Sequence, residues 1–230
     1  MPADDPMTDQ PARAGKAAGG GPPVTHPVSD MAPDGVVLRL PPNVPRVRPN
    51  RFIRWLARSM LRLGGWRMAG TFPDLPKIVL IGAPHSSNWD GVWGFAAKVA
   101  LGLDIKILGK DSLFKVPVVG ALLRHLGVIP VDRNKPQGVV EQAAQMIRDA
   151  DRLWFGLAPE GTRKPVERWK TGFWKIAKAA DVPVLPAYFH YPDKTIGIGE
   201  PFTLSDDMAA DVARIRAWFR PWQGKHHGTT

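Results

Sequence analysis

The residues best suited to chemistry are a histidine and an aspartate five positions apart, His85 and Asp90. The histidine follows an apolar run that ends at Ile81, and the aspartate falls at the start of a predicted helix. A carboxylate bonded to one imidazole nitrogen fixes the tautomer, so the other nitrogen can accept a proton from a hydroxyl. The pair therefore predicts a general base. Alone the pattern is weak, because Ser87 and Asn88 are also common N-cap residues beside a surface histidine.

Three further predicted strands, 104–108, 128–131 and 152–157, are followed respectively by Lys110, by Arg133, and by Glu160, Gly161, Thr162 and Arg163. The carboxyl ends of parallel strands meet at one sheet edge, where ligands bind in open α/β sheets. A glycine lets the backbone approach a ligand closely, and the planar fork of an arginine matches a phosphate. Each basic residue taken singly is better explained as solvated loop charge. Together they predict a base that faces an anionic substrate.

The pattern of apolar runs indicates that one α/β domain positions these residues. Short runs of Val, Ile and Leu alternate along the chain with segments of helical periodicity. This alternation is typical of a central, largely parallel mixed sheet flanked by helices. Further predicted strands lie at 77–81, 182–189 and 195–198, and predicted helices at 88–101, 117–126, 136–150, 171–180 and 206–220. We expect the domain to occupy residues 66–222.

Two segments precede this domain. Residues 1–48 are rich in proline and glycine with few large apolar residues, which predicts a disordered tail. Residues 49–65 contain a basic amphipathic helix, with Arg51, Arg54, Arg58 and Arg62 on one stripe and Phe52, Ile53, Leu56, Met60 and Leu63 opposite. Such a helix, which also carries Trp55, suits the surface of an anionic phospholipid membrane. A helix packed on the domain with its arginines in water explains the pattern equally well.

The composition restricts the classes of partner and site. The 230 residues carry a formal net charge of +10, which favours phospholipid headgroups, nucleic acid or an acidic carrier protein as partner. No cysteine is present, which excludes disulfides and thiolate chemistry. We find neither a secretory signal nor an apolar run of the ~20 residues that a membrane-spanning helix needs. We therefore expect a cytoplasmic protein, peripheral on the inner face of the plasma membrane.

Four blocks of the sequence match a known family. They are His85 to Asp90 (a His-x4-Asp motif), Lys110 to Arg133, Pro159 to Arg163, and Val182 to Pro186. In this order and spacing they resemble the glycerolipid and lysophospholipid acyltransferase family typified by 1-acyl-glycerol-3-phosphate acyltransferase, over about residues 66–202. Each block alone is a weak signal. The His-x4-Asp and Glu-Gly-Thr-Arg motifs together are a specific one.

The resemblance implies a role for each matched residue. His85 would deprotonate the acceptor hydroxyl, and Asp90 would orient its ring and stabilise the imidazolium. The hydroxyl would attack the thioester of acyl-CoA or acyl-carrier protein, a co-substrate, directly, with no cofactor, metal or acyl-enzyme. The glycerol-phosphate part of the acceptor would be held by Arg133, Glu160, Gly161, Thr162 and Arg163, with a contribution from Lys110.

Departures from the family pattern leave the acceptor open. Pro84 replaces an asparagine that many members have, Ala158 replaces a phenylalanine, and five tryptophans lie near the motifs, Trp89, Trp93, Trp154, Trp169 and Trp174. A different lyso-lipid acceptor, or hydrolysis of a lipid thioester, is therefore an alternative function. The presence of both His85 and Asp90 argues against the interpretation that the chain is a lipid-binding relative without catalytic activity. The positions of the arginines argue against a nucleic-acid-binding module. They concentrate at 51–67 and at strand ends, whereas such a module is expected to alternate basic residues with exposed aromatic residues. No nucleic-acid partner is expected.

Overall fold

The computed structural model describes residues 35–131 and 136–229. Within these ranges the elements follow in the order α1 (Arg51–Leu63), β1 (Arg67–Ala69), β2 (Lys77–Ala83), α2 (Asn88–Leu101), β3 (Ile105–Lys110), a 3-10 helix (Asp111–Lys115), α3 (Pro117–His125), β4 (Val128–Val131), α4 (Pro136–Asp149), β5 (Leu153–Leu157), α5 (Gly172–Ala180), β6 (Val184–His190), β7 (Thr195–Ile198) and α6 (Met208–Phe219). The predicted alternation of strands and helices is confirmed. The short strand β1 has no counterpart among the predicted elements.

The strands form one sheet of order β1-β7-β6-β2-β5-β3-β4. Every neighbouring pair is parallel except β6 and β7, which are antiparallel. The prediction of a largely parallel mixed sheet is therefore confirmed. In register, Ile81 of β2 pairs with Leu157 of β5, and Ala83 pairs with Tyr188 of β6. The carboxyl ends of β2, β5 and β6 consequently open side by side at one edge.

The sheet is buried on both faces because its strands carry apolar residues at successive positions. In β5, Trp154 packs into the core on one face and Phe155 into the core on the other, and Val184 and Leu185 of β6 divide in the same way. Helices α1 and α2 cover the first face, and α4, α5 and α6 cover the second. Burying each such side chain stabilises the fold by about 1.5–3 kcal/mol.

The structure corrects the predicted tail. Residues 1–34 lie outside the described ranges, but Val36, Val37, Leu38 and Val44 are buried in the core on the α1 and α2 face. The backbone there is also paired, since Arg46 forms an antiparallel bridge with Leu103. The prediction of a disordered tail up to residue 48 is therefore wrong from residue 36 onward. These four side chains pack in the same core cluster as buried residues of α1, α2 and the sheet.

Helix α1 packs against the domain through a narrow stripe of its surface. Ala57 and Leu61 are buried, and the side chains of Arg54 and Arg58 donate hydrogen bonds to the carbonyl of Ala100 at the end of α2. Guanidinium groups at the C-terminus of a helix satisfy its free carbonyls and interact favourably with its dipole, each by about 0.3–1 kcal/mol.

The apolar stripe of α1 faces away from the domain instead. Phe52, Trp55, Leu56 and Leu63 are between 52% and 88% exposed, and Phe52 stacks on Trp55 with ring centroids 5.8 Å apart. The alternative with the arginines in water is thus wrong for Arg54 and Arg58. Of the helices in the described ranges, none is both long enough and apolar enough to span a bilayer.

Candidate active site

The turn between β2 and α2 builds the centre of the site. Ser87 is the N-cap of α2, and its hydroxyl accepts a hydrogen bond from the backbone of Trp89 at 3.2 Å. Asp90 lies three residues after the cap and accepts from the backbone N–H of Ser87 at 2.8 Å, which completes a capping box. The helix start therefore fixes the position of Asp90. The capping of α2 and the His85–Asp90 pairing are not alternatives here, because the Asp90 carboxylate takes part in both.

The predicted pair is assembled. Nδ1 of His85 lies 3.2 Å from Oδ2 of Asp90, and the Asp90 side chain is 1% exposed, against 27% for His85. The same Oδ2 accepts the backbone N–H groups of Ser86 and Ser87, both at 2.8 Å. Burial alone would raise the pKa of Asp90, but hydrogen bonds from His85, Tyr191 and Ser87 lower it below its usual value. Asp90 therefore stays ionised, as a carboxylate that stabilises an imidazolium must.

Tyr191 is a site residue that the sequence reasoning missed. Its hydroxyl donates to Oδ1 of Asp90 at 2.6 Å, and its ring packs edge-on against Trp66. Burial and the bond to Asp90 both raise the pKa of Tyr191, so the hydroxyl keeps its proton and remains a donor. A signal was present, since a tyrosine two positions after the strand predicted at 182–189 lies at the same edge of a parallel sheet as His85.

Glu160 joins the two main motifs. Its Oε2 accepts the backbone N–H of His85 at 2.8 Å, and the residue is only 3% exposed. Its Oε1 is also buried and has no hydrogen-bond partner among the described residues. Burial raises the pKa of Glu160, although the bond from the His85 backbone acts in the opposite direction. The carboxyl group thus holds the histidine loop in place and leaves one oxygen for another partner.

The turn after Glu160 is tight and surrounded by positive charge. Gly161 has a φ of +65°, a backbone conformation that residues with a Cβ rarely adopt, and the flexible side chain of Lys170 lies beside it. The Thr162 hydroxyl accepts the backbone N–H of Lys164. Arg163 and Lys170 are exposed. The turn therefore presents cations at the same edge as His85.

The two remaining predicted residues are only partly located. Lys110 is the last residue of β3, so its backbone lies at the carboxyl edge of the sheet, as predicted. Its side chain is not among the described ones. Arg133 lies outside the described residues, two positions after the end of β4.

A segment near the end of the chain, Gln223 to Thr229, crosses this edge and was not predicted to take part. The backbone N–H of His226 donates to the hydroxyl of Ser86 at 3.2 Å, and a ring nitrogen of His227 lies 3.0 Å from the carbonyl of Arg163. Lys225 lies over the ring of Trp89, with its ammonium 5.3 Å from the ring centroid. The domain limit predicted at residue 222 is therefore too short, because this segment contacts both motifs.

The tryptophans near the motifs differ in solvent exposure. Trp154 and Trp169 are buried core residues, whereas Trp89 is 48% exposed beside the His85–Asp90 pair.

Within residues 35–131 and 136–229, no group of three or more His, Cys, Asp or Glu side chains is placed to hold a metal ion.

A comparison with protein families finds one match, to a family described as Acyltransferase, over residues 71–190, just over half of the chain. Among curated proteins, the chain is 31% identical over 108 residues to the chloroplastic 1-acyl-sn-glycerol-3-phosphate acyltransferase BAT2 of Brassica napus, covering 44% of this chain and 31% of that one. It is 34% identical over 126 residues to the lysophospholipid acyltransferase LPCAT4 of Homo sapiens, covering 50% of this chain and 22% of that one. The matches thus span a third or less of these two relatives.

A bacterial relative is covered more fully. The 1-acyl-sn-glycerol-3-phosphate acyltransferase of Streptococcus pneumoniae (strain ATCC BAA-255 / R6) is 24% identical over 190 residues, which cover 74% of this chain and 70% of that one. Among solved structures, the 1-acyl-sn-glycerophosphate acyltransferase PlsC of Thermotoga maritima superposes with a TM-score of 0.53 at 17% identity. That match covers 76% of this chain and 81% of the other, and at this identity it shows a shared fold.

Proposed function

Because the chain belongs to the acyltransferase family, we propose that it is an O-acyltransferase that moves a fatty-acyl group to the hydroxyl of a lysophospholipid such as 1-acyl-glycerol-3-phosphate. The observation that carries the proposal is the contact between His85 Nδ1 and the buried Asp90 carboxylate. It leaves Nε2 of a partly exposed imidazole to receive the proton of a hydroxyl. Relatives named as acyltransferases of this type support the choice of acceptor class.

The proposed reaction has two steps. As Nε2 of His85 removes the proton, the hydroxyl oxygen attacks the thioester carbonyl carbon, and a tetrahedral oxyanion forms. The carbon–sulfur bond then breaks, the thiolate leaves, and the imidazolium returns the proton to the sulfur. Asp90 stabilises the imidazolium between the steps. The absence of cysteine removes one route through an acyl-enzyme, and direct transfer needs no further nucleophile.

The acceptor is proposed to lie along the Glu160–Arg163 turn. The guanidinium of Arg163 would pair with the phosphate, and the close approach that Gly161 permits would bring it near the backbone. The unpartnered Oε1 of Glu160 would accept a hydrogen bond from a glycerol hydroxyl. Lys110 and Arg133 remain proposed contributors. The thioester donor is acyl-CoA or acyl-carrier protein, and no cofactor or metal is required.

We place the enzyme on an anionic membrane surface, peripheral on the cytoplasmic face of the plasma membrane. The outward stripe of Phe52, Trp55, Leu56 and Leu63 supports this, because an apolar helix face with arginines at its border suits the headgroup boundary. The net charge of +10 acts in the same direction.

One assay tests the reaction. Purified protein is given radiolabelled acyl-CoA or acyl-carrier protein with a panel of lyso-lipids. We expect label in a diacyl product, and His85→Ala should reduce the rate on the order of 10²–10⁴-fold, the usual value of a general base. His125→Ala, at the exposed end of α3, is the matched control and should retain the wild-type rate. Undiminished transfer by His85→Ala would contradict the mechanism, and release of free fatty acid without transfer would establish a hydrolase instead.

A second assay tests the membrane contact. Replacing Phe52, Trp55 and Leu56 with serine removes exposed apolar area without touching the buried Ala57 and Leu61, so the fold should persist. We expect weaker sedimentation with vesicles containing anionic phospholipid. Serine at Val118 and Leu122, which are exposed on α3, is the matched control. Equal binding by wild type and the α1 variant would contradict the proposal.

A further inference from the structure

Segment 223–229 is fixed to the catalytic edge by several bonds. At its start, the N–H of Gln223 donates to Nδ1 of His190 at 3.0 Å, and its carbonyl accepts from the backbone of Tyr191 at 2.9 Å. At its end, the carbonyl of Thr229 accepts from the side chain of Arg216 on α6. The middle of the segment is therefore held between the base and the Glu160–Arg163 turn.

The turn within the segment leaves no room for a side chain at Gly224. A Cβ there would lie 2.5 Å from the hydroxyl of Ser86 and 2.7 Å from the carbonyl of His227. The backbone N–H of Gly224 donates to that same carbonyl at 3.1 Å. The segment thus packs directly against the residue that follows the catalytic histidine.

Both ring nitrogens of His227 face carbonyl oxygens. One ring nitrogen lies 2.7 Å from the carbonyl of Gly228 and the other 3.0 Å from the carbonyl of Arg163. Carbonyl oxygens only accept hydrogen bonds, and a neutral imidazole has a single N–H, so this position favours the imidazolium. Burial opposes the charged form, but the two carbonyls together with nearby Glu160 and Asp90 raise the pKa of His227 above its usual value.

Lys225 adds a second cation. Its side chain is exposed, and its ammonium lies over Trp89, the residue before Asp90. Within the described part of the chain, no carboxylate lies within 4.0 Å of the charged groups of Lys225, Arg163 or Lys170. An edge with several unneutralised cations beside a general base has the charge expected of a site for a phosphate group.

We propose that segment 223–229 forms one wall of the phosphate-binding part of the active site, with Lys225 as a direct contact to a substrate phosphate and His227 as a positioning residue for the Arg163 turn. This rests on the proposed function. The segment lies beyond residues 71–190, the range that the family model matches. The phosphate belongs either to the lysophospholipid acceptor or to the CoA or phosphopantetheine part of the donor.

Binding to His85→Ala protein, which should not turn over, tests Lys225. Calorimetry measures the affinity for short-chain 1-acyl-glycerol-3-phosphate, for the matching monoacylglycerol without phosphate, and for CoA. Loss of one charge-assisted hydrogen bond should weaken the binding of phosphate-bearing ligands to Lys225→Gln about 10–100-fold. If Lys225→Gln binds only lysophosphatidate more weakly, Lys225 contacts the phosphate of the acceptor. If it binds only CoA more weakly, Lys225 contacts a phosphate of the donor. Weaker binding of both ligands indicates a shared phosphate site. The affinity for monoacylglycerol should not change.

The control is Lys175→Gln, an exposed lysine on α5 with the same loss of charge. Unchanged phosphate affinity in Lys225→Gln, an equal loss in Lys175→Gln, or an equal loss for monoacylglycerol would overturn the proposal for Lys225. A parent that binds neither lysophosphatidate nor CoA would overturn the proposed function as well, so the two failures are distinct.

His227 is tested by rescue. His227→Ala removes both donors and the charge, and the KM for the phosphate-bearing substrate should rise about 5-fold while kcat stays within about 2-fold. His227→Arg can donate to both carbonyls and keeps a fixed charge, so it should restore most of that KM. Failure of the rescue, or a loss confined to kcat, would overturn the positioning role.

Discussion

The two sides of the candidate active site are built in opposite ways. On the base side, Asp90 is buried and its two carboxylate oxygens contact four groups: His85, the N–H groups of Ser86 and Ser87, and the hydroxyl of Tyr191. On the anion side, Arg163, Lys170 and Lys225 are exposed. The first arrangement fixes atoms before a substrate arrives, and the second leaves charge for a substrate to neutralise. Changes on the base side should therefore alter rate, and changes on the anion side should alter affinity.

The largest expected effect is that of Asp90→Asn. An amide nitrogen cannot accept the hydrogen bonds that the carboxylate receives, and the imidazolium loses its counter-charge, so kcat should fall about 10³-fold with little change in KM. Acyl-transfer kinetics measure this. Asp151→Asn, at an exposed position, should retain wild-type activity. If Asp90→Asn raised KM and left kcat unchanged, the assignment of rate to the base side and of affinity to the anion side would be wrong.

Arg163→Gln should have a smaller effect than Asp90→Asn, and the effect should be on KM instead of kcat. Loss of one charged contact to phosphate corresponds to about 1.5–3 kcal/mol, or about 10–100-fold in KM for the phosphate-bearing substrate, with kcat nearly constant. Substrate titrations with and without the phosphate measure this. An equal loss for a neutral acceptor would show that the turn, rather than the charge, had been damaged.

Tyr191→Phe should lower activity about 3–10-fold, because Asp90 loses one hydrogen bond to a charged group and keeps three other contacts. A titration gives a second measurement. The pKa of Asp90 is lowered in the folded state, so its stabilisation exists above the unfolded-state pKa and is lost as pH falls through the folded-state pKa. Without Tyr191 the folded-state pKa of Asp90 rises, so the pH-dependent stabilisation should be smaller and its loss should be complete at a higher pH in urea unfolding. Tyr188→Phe, the other tyrosine, should leave the profile in place.

The smallest effect is expected for Glu160→Gln. The amide oxygen can still accept the His85 N–H, whereas the buried charge is removed. The pKa of Glu160 is raised, so its contribution to stability is present at low pH and is lost as pH rises through the folded-state value. The variant should match wild type at low pH and be more stable than wild type at neutral pH, because it carries no buried charge. Urea unfolding at both pH values measures this, and a less stable variant at neutral pH would contradict it.

The fold could be predicted because its strands are continuous apolar runs, and the chain order of strand ends placed His85 near Glu160–Arg163. The bond between Glu160 and the His85 backbone could not be predicted, since a carboxylate beside basic residues indicates substrate contact as readily as a structural link. The core role of Val36 to Val44 was missed because proline and glycine nearby obscure any periodicity. Segment 223–229 has no regular structure, so only its contacts reveal its place.

The pairing of α1 with α2 has a geometric consequence. Arg54 meets the end of α2 at Ala100, while Gly64 lies against Trp93 near its start, so the two helices run antiparallel along their shared length. A molecule attached to a bilayer through the outward stripe of α1 would hold α2 on the far side of α1 from the lipid. The start of α2, where Asp90 lies, would then be carried beside the Gly64 end of α1.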